Sequence, residues 1–266
     1  MEGLEVLRDL PRASGEELTQ ALQRIDASLH TDYFVNLLDA KYSKDIAASG
    51  NSSEKTEKLR AFAELVTDLV PQLNNEDVKP VIETYIRVFQ NVATAFIAEA
   101  DSVPGVLLLR NAILALIGDR KVITSLHGKF FELCAKAKEY DVGQSLIRED
   151  ARELMKEKTC LTQEHDVKSV LSYFYHAGSL LCQAERFEAA LRMYMSVLVI
   201  PSISVVTYVT EAYKKFVLIN LILGSPVKEL PSNLSCGLER SIRPKCVEYD
   251  DLSKICRHPA YGNNVI

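Results

Sequence analysis

The chain has 266 residues, 47% of them hydrophobic and 25% charged, with a formal net charge of −5. That length is ample for a large core, and the apolar share is too high for a disordered chain. An acidic balance without a dominant basic patch excludes a nucleic-acid groove. No run approaches the roughly 18 apolar residues needed to cross a bilayer.

Eleven glycines and nine prolines leave few turns, together well under the roughly 12% of a usual chain, which favours long helices. Ser14 with Glu17 has the spacing of a capping box, opening a short helix that carries Leu18, Leu22 and Ile25. The stretch Gly50-Asn51-Ser52-Ser53 reads as a linker, and Phe62, Leu65, Val66, Leu69 and Val70 then form an apolar stripe that ends at Pro71. The clearest periodicity is Ile82, Tyr85, Ile86, Phe89, Val92, Phe96 and Ile97, stepping by three and four. Pro80 suits the first turn of that helix, and Asp77 complements its positive end.

Next, Ser102-Val103-Pro104-Gly105 precedes a helix closed by Gly118-Asp119, and Leu126, Phe130 and Leu133 mark another, interrupted at Asp141-Val142-Gly143. Helices are predicted at about 162–183, 187–199 and 204–223, the last apolar nearly all round. No strand is convincing. The reading is all-α: a right-handed superhelical stack of antiparallel helix pairs, a TPR-like α-solenoid. Its parts are an N-terminal helical region over 1–100, a repeat region over 101–235, and a helical tail over 236–266.

Between about 170 and 202, Gly178, Leu181, Phe187, Ala190, Leu191 and Tyr194 fall near the small, large and aromatic positions of a tetratricopeptide-type repeat. The logic is steric, since small Gly178 and Ala190 let two helices approach while Phe187 and Tyr194 fill the space around them. In the run Tyr173, Phe174, Tyr175, three consecutive rings cannot all face inward on one helix, so one should reach a neighbour. Tyr213, Lys214 and Lys215, an aromatic with two cations, are the candidate contact for another protein subunit; the plainer reading is a solvated lysine pair.

The ordered segments Tyr173-Phe174-Tyr175-His176-Ala177-Gly178, Phe187-Glu188-Ala189-Ala190-Leu191 and Glu211-Ala212-Tyr213-Lys214-Lys215, with 218–224, resemble the subunit-three family of the COP-nine signalosome. The stretches 108–113 and 126–138 add to it, so the likeness spans about 100–235. It implies a helical-repeat arm of the proteasome-lid, signalosome and initiation-factor (PCI) group, which leads into a winged helix. It also implies a non-catalytic scaffold role in a cytoplasmic and nuclear particle that removes Nedd8 from cullin-RING ubiquitin ligases. Other signalosome subunits are the implied partners, with no nucleic acid, membrane, small-molecule substrate or cofactor. No winged helix is legible between Cys256 and Ile266, so the expectation is a shortened form whose uncapped end, after about 224, is disordered or adhesive. A free-standing adaptor that holds a partner peptide in a concave groove is the alternative.

Catalytic patterns fail one by one. The family's zinc protease needs an H-x-H pair, and His30, His127, His165, His176 and His258 contain none. Cys134, Cys160, Cys182, Cys236, Cys246 and Cys256 form no CxxC pair. The ten-residue spacing of Cys236, Cys246 and Cys256 before His258 suits small apolar side chains better than a metal site. Glu164-His165-Asp166 reads as helix-start chemistry. His176 and Cys182 lie six residues apart on one helix and diverge. There is no phosphate loop and no GxSxG, so neither an enzyme nor a metal site is expected.

Overall fold

The computed structural model describes residues 13–27, 30–50, 52–73, 75–99, 101–118, 122–148, 167–200, 206–224 and 243–256, and among them every regular element is helical. Two compact units meet at Glu139/Tyr140 in the described chain.

The first unit opens with α1 (Gly15–Arg24), where the Ser14 amide donates to Glu17 Oε2 at 2.7 Å and the Glu17 amide donates to Ser14 Oγ at 3.3 Å. This is the capping box expected from the spacing, and the Ser14 backbone bond holds the Glu17 carboxyl below its usual range. Leu18 and Leu22 bury the inner face. Helix α2 (Thr31–Lys41) continues as a π turn, Tyr42–Ala47. There Lys41 pairs with Asp45 and donates to Gly15 O at 2.9 Å, while the Tyr42 hydroxyl donates to Asn91 O at 3.1 Å.

Helix α3 (Ser52–Thr67) begins inside the stretch read as a linker. Serine opens helices well, so of that stretch Ser52 and Ser53 belong to the helix and Gly50 stays outside it. The stripe from Phe62 ends as expected near Pro71, which sits in a 3-10 turn at Val70–Gln72. A short α4 (Asn75–Val78) and a second 3-10 turn (Lys79–Val81) holding Pro80 lead into α5 (Ile82–Ala98). Tyr85, Ile86, Phe89, Val92 and Phe96 are all buried there, and the Tyr85 hydroxyl donates to Ala112 O at 2.9 Å.

Helix α6 (Val103–Ile117) absorbs the Pro104-Gly105 pair into its first turn. Proline is tolerated at that place because its missing N–H would have no helical partner. Gly105 faces Phe96, where a Cβ would lie 2.6 Å from the ring; close approach explains the glycine, not a break. Helix α7 (Ser125–Ala137) starts with the Thr124 amide donating to His127 Nδ1 at 3.1 Å. It ends at Lys138, whose φ of 61° turns the chain into the left-handed region.

In the second unit, α8 (Tyr140–Gln144) is a short helix. The expected interruption at Asp141-Gly143 therefore falls three residues earlier, at Lys138. Helices α9 (Val167–Gln183) and α10 (Phe187–Val199) pack against each other along their length, and α11 (Val206–Ile222) packs on both. A 3-10 turn (Arg243–Lys245) leads to α12 (Val247–Cys256), which lies against α11. Residues 225–242 and 257–266, which include the rest of the tail expected over 236–266, lie outside the described residues. No described helix is long and apolar enough to cross a membrane.

Candidate functional site

The α9–α10 pair holds the residues singled out for repeat packing. Gly178 faces Tyr194, and a Cβ there would stand 3.0 Å from Cε1 of that ring. Leu181, Ala190 and Tyr194 are buried, while Phe187 and Leu191 are half-buried. Met193 and Val197, fully buried beside them, escaped the sequence reading because a repeat signature weights shape at a few positions rather than every inward turn. The tight turn between the helices puts Glu185 at φ 60°, and the Arg186 amide closes it by donating to Leu181 O at 2.9 Å.

Of the run at 173–175, Tyr173 and Phe174 are buried and Tyr175 is half-buried. The Tyr173 oxygen accepts the Arg148 amide at 2.8 Å, which anchors the end of the α8 segment to α9. Burial pushes the Tyr173 phenol up to about 12, partly offset by that bond. Tyr175 reaches across to Tyr208 of α11, with ring centroids 5.4 Å apart.

Tyr213, Lys214 and Lys215 are not one exposed patch. Tyr213 is 7% exposed and its hydroxyl donates to Asp250 of α12. Lys214 donates to Glu211 at 2.8 Å and lies 5.7 Å from the centre of the Tyr249 ring. Only Lys215 of the three is exposed. The chain's own α12 thus occupies the Tyr213–Lys214 face, a contact between residues 37 apart that helical periodicity does not encode.

Burial raises the thiols of Cys134, Cys182 and Cys246. Cys134 is buried and its thiol is pushed up to about 12 by burial. Cys182 is half-buried and also raised by burial, with Lys215 opposing the shift. His176 packs edge-on against Tyr175 and Tyr208. No group of three or more potential metal ligands occurs among the described residues. Cys160, Cys236, His258 and Glu164-His165-Asp166 lie outside them. In the first unit a cleft of about 360 Å³ runs past Thr19, Lys41, Asp45, Phe62 and Leu65, but its Lys41 and Asp45 neutralise each other. What these elements present is packed helix surface.

The profile of a family described as COP9 signalosome complex subunit 3, N-terminal helical repeats, matches residues 3–236. The COP9 signalosome complex subunit 3 of Arabidopsis thaliana is 26% identical over 259 residues, covering 94% of this chain and 56% of that protein. Its Dictyostelium discoideum namesake is 26% identical over 150 residues, 55% of this chain and 35% of the relative. This chain spans little more than half of the longer alignment's partner.

Proposed function

Because the chain belongs to the family of COP9 signalosome complex subunit 3 N-terminal helical repeats, we propose that it serves as a non-catalytic scaffold subunit of the signalosome. In this reading its helix pairs continue as a right-handed superhelical stack, and their outward faces dock neighbouring subunits of a particle that takes Nedd8 off cullin-RING ligases. The work is done in the cytoplasm and nucleus, without cofactor or small-molecule substrate. The observation that carries the proposal is the match from residue 3 to 236, together with the α9–α10 contact built on Gly178 and Tyr194.

Physically, such a subunit contributes shape. Each helix pair buries one face on its neighbour and keeps another for a partner. The test is affinity purification of the tagged full chain from cells. Recovery of other signalosome subunits in fixed proportion supports the reading, and a chain that leaves the column alone refutes it.

A further inference from the structure

The cleft of the first unit offers apolar surface and little else. Phe62 and Ile46, each 1% exposed, are its most deeply buried lining residues, and Leu65 and Ala61 of α3 continue the same wall. The ammonium groups beside them are engaged within the unit. Lys41 donates to Thr19 Oγ1 at 2.6 Å and pairs with Asp45, while Lys58 pairs with Glu54 at 2.6 Å and donates to Ser49 Oγ at 3.2 Å. A cleft so lined suits an aliphatic occupant rather than an ion. It also lies among the first helices of a repeat array, where an apolar face has no preceding repeat to cover it and needs a cap.

The chain enters α1 at the edge of this cleft. Ala13 O accepts Lys44 Nζ at 2.8 Å and Gly15 O accepts Lys41 Nζ at 2.9 Å. Gly15 packs so close to Asp45 that a Cβ there would strike its carboxyl. Lys41 and Asp45 both line the cleft, so residues 1–12, ahead of Ala13, start from its rim. In that stretch Leu4, Leu7 and Leu10 recur at every third position, a spacing that keeps neighbours on one side of a helical turn. Pro11 favours extended backbone at Leu10, which separates this run from α1 and lets it turn back. Seven residues of helix span about 10 Å, the scale of a cleft of about 360 Å³. The family profile starts at residue 3, so the run is part of the shared helical-repeat region. We propose that residues 4–10 lie in this cleft as an internal cap, with Leu4, Leu7 and Leu10 against Ile46, Phe62 and Leu65.

This goes beyond the scaffold reading and does not rest on it. The test is hydrogen exchange of the full chain, read by mass spectrometry over residues 4–10, beside a synthetic peptide of residues 1–12. Amides of 4–10 are expected to exchange at least about tenfold slower in the chain than in the free peptide. Ala61→Glu places a carboxylate in the cleft at an exposed position of α3, where glutamate suits the helix; Leu7→Asp places one on the segment. Each should return 4–10 to the free-peptide rate while α5 keeps its protection. If Ala61→Glu loosens α5 as well, Leu7→Asp decides. Thr94→Glu, exposed on α5 and outside the cleft lining, should change nothing. Free-peptide rates in the parent chain overturn the proposal, as does protection that survives Leu7→Asp. Loss on Ala61→Glu that appears in 149–166 instead of 4–10 overturns it too. Protection that falls on dilution, with light scattering showing a dimer come apart, would put a second copy's segment in the cleft and equally overturn it.

Discussion

Replacing Gly105 by alanine opposes two effects of known size. A methyl there would come to 2.6 Å from Cγ and Cδ2 of Phe96 and 3.1 Å from Cδ2 of Leu133. Favourable carbon contacts start near 3.5 Å, so the overlap with the ring is roughly 1 Å. Phe96 is 2% exposed, and the clash is at the root of its ring, so the side chain cannot swing aside. Helix propensity favours alanine by about 1 kcal/mol, while overpacking costs about 1–3 kcal/mol. A clash this deep belongs at the upper end, leaving a net loss of about 1–2 kcal/mol. Gly178→Ala is the contrast. There the methyl meets Tyr194 at 3.0–3.2 Å, a few tenths too close, and the two effects should cancel to within about 0.5 kcal/mol. Urea unfolding of both variants measures the difference, and adding Phe96→Leu to Gly105→Ala should recover part of the loss. A Gly105→Ala protein at least as stable as the parent, or a more damaging Gly178→Ala, would refute the reasoning.

Tyr173→Phe removes the acceptor of the Arg148 amide and should cost about 1–3 kcal/mol in thermal unfolding, the penalty for stranding a donor; a silent substitution would show that water satisfies the amide. Cys134 and Tyr173 both hold their protons up to about 12, whereas free thiols and phenols lose theirs near 8.5 and 10. The folded state therefore binds these protons more tightly than the unfolded one. Their contribution is complete below about pH 8.5 and declines as pH rises towards 12, at up to about 1.4 kcal/mol per pH unit per group. Urea midpoints at pH 8 and pH 10.5 should differ accordingly, and identical midpoints would count against it. Asn220 is fully buried, its amide donates only within α11 to Phe216 O at 2.8 Å, and its Oδ1 has no hydrogen-bond partner among the described residues. Asn220→Leu should raise stability by about 1 kcal/mol; a loss would mean the oxygen is satisfied in solution.

The helices were legible wherever period and punctuation agreed. The stripe through Tyr85, Phe89 and Phe96 and the Ser14–Glu17 box needed only local chemistry. Where the reading slipped, one residue type had two uses. Pro104-Gly105 looks like a loop, yet proline fits a first helical turn and the glycine answers a ring from another helix. Lys138 ends α7 in a conformation usually given to glycine, and nothing in its identity announces that. The face of Tyr213 and Lys214 was beyond reach for another reason: whether it is open depends on α12, more than thirty residues away along the chain. Tyr175, by contrast, had to leave the inner face because its two neighbours fill it, and the geometry of one helix sufficed to say so.

The π turn at Tyr42–Ala47 bears on how sequences of different length can share this fold. A π turn is an α turn widened to hold an extra residue, so the segment behaves as a tolerated insertion in α2. Deleting one residue from a regular α-helix would turn everything beyond it by about 100°, but excising one here would let the widened turn close to an ordinary one with both flanks in place. Ile46, now 1% exposed, would keep its buried side, and Asp45 would stay beside Lys41, because residues three and four apart share a helix face. A change of length at this point is therefore absorbed inside one widened turn, and a sequence lacking the residue could keep its apolar positions where they are on either side.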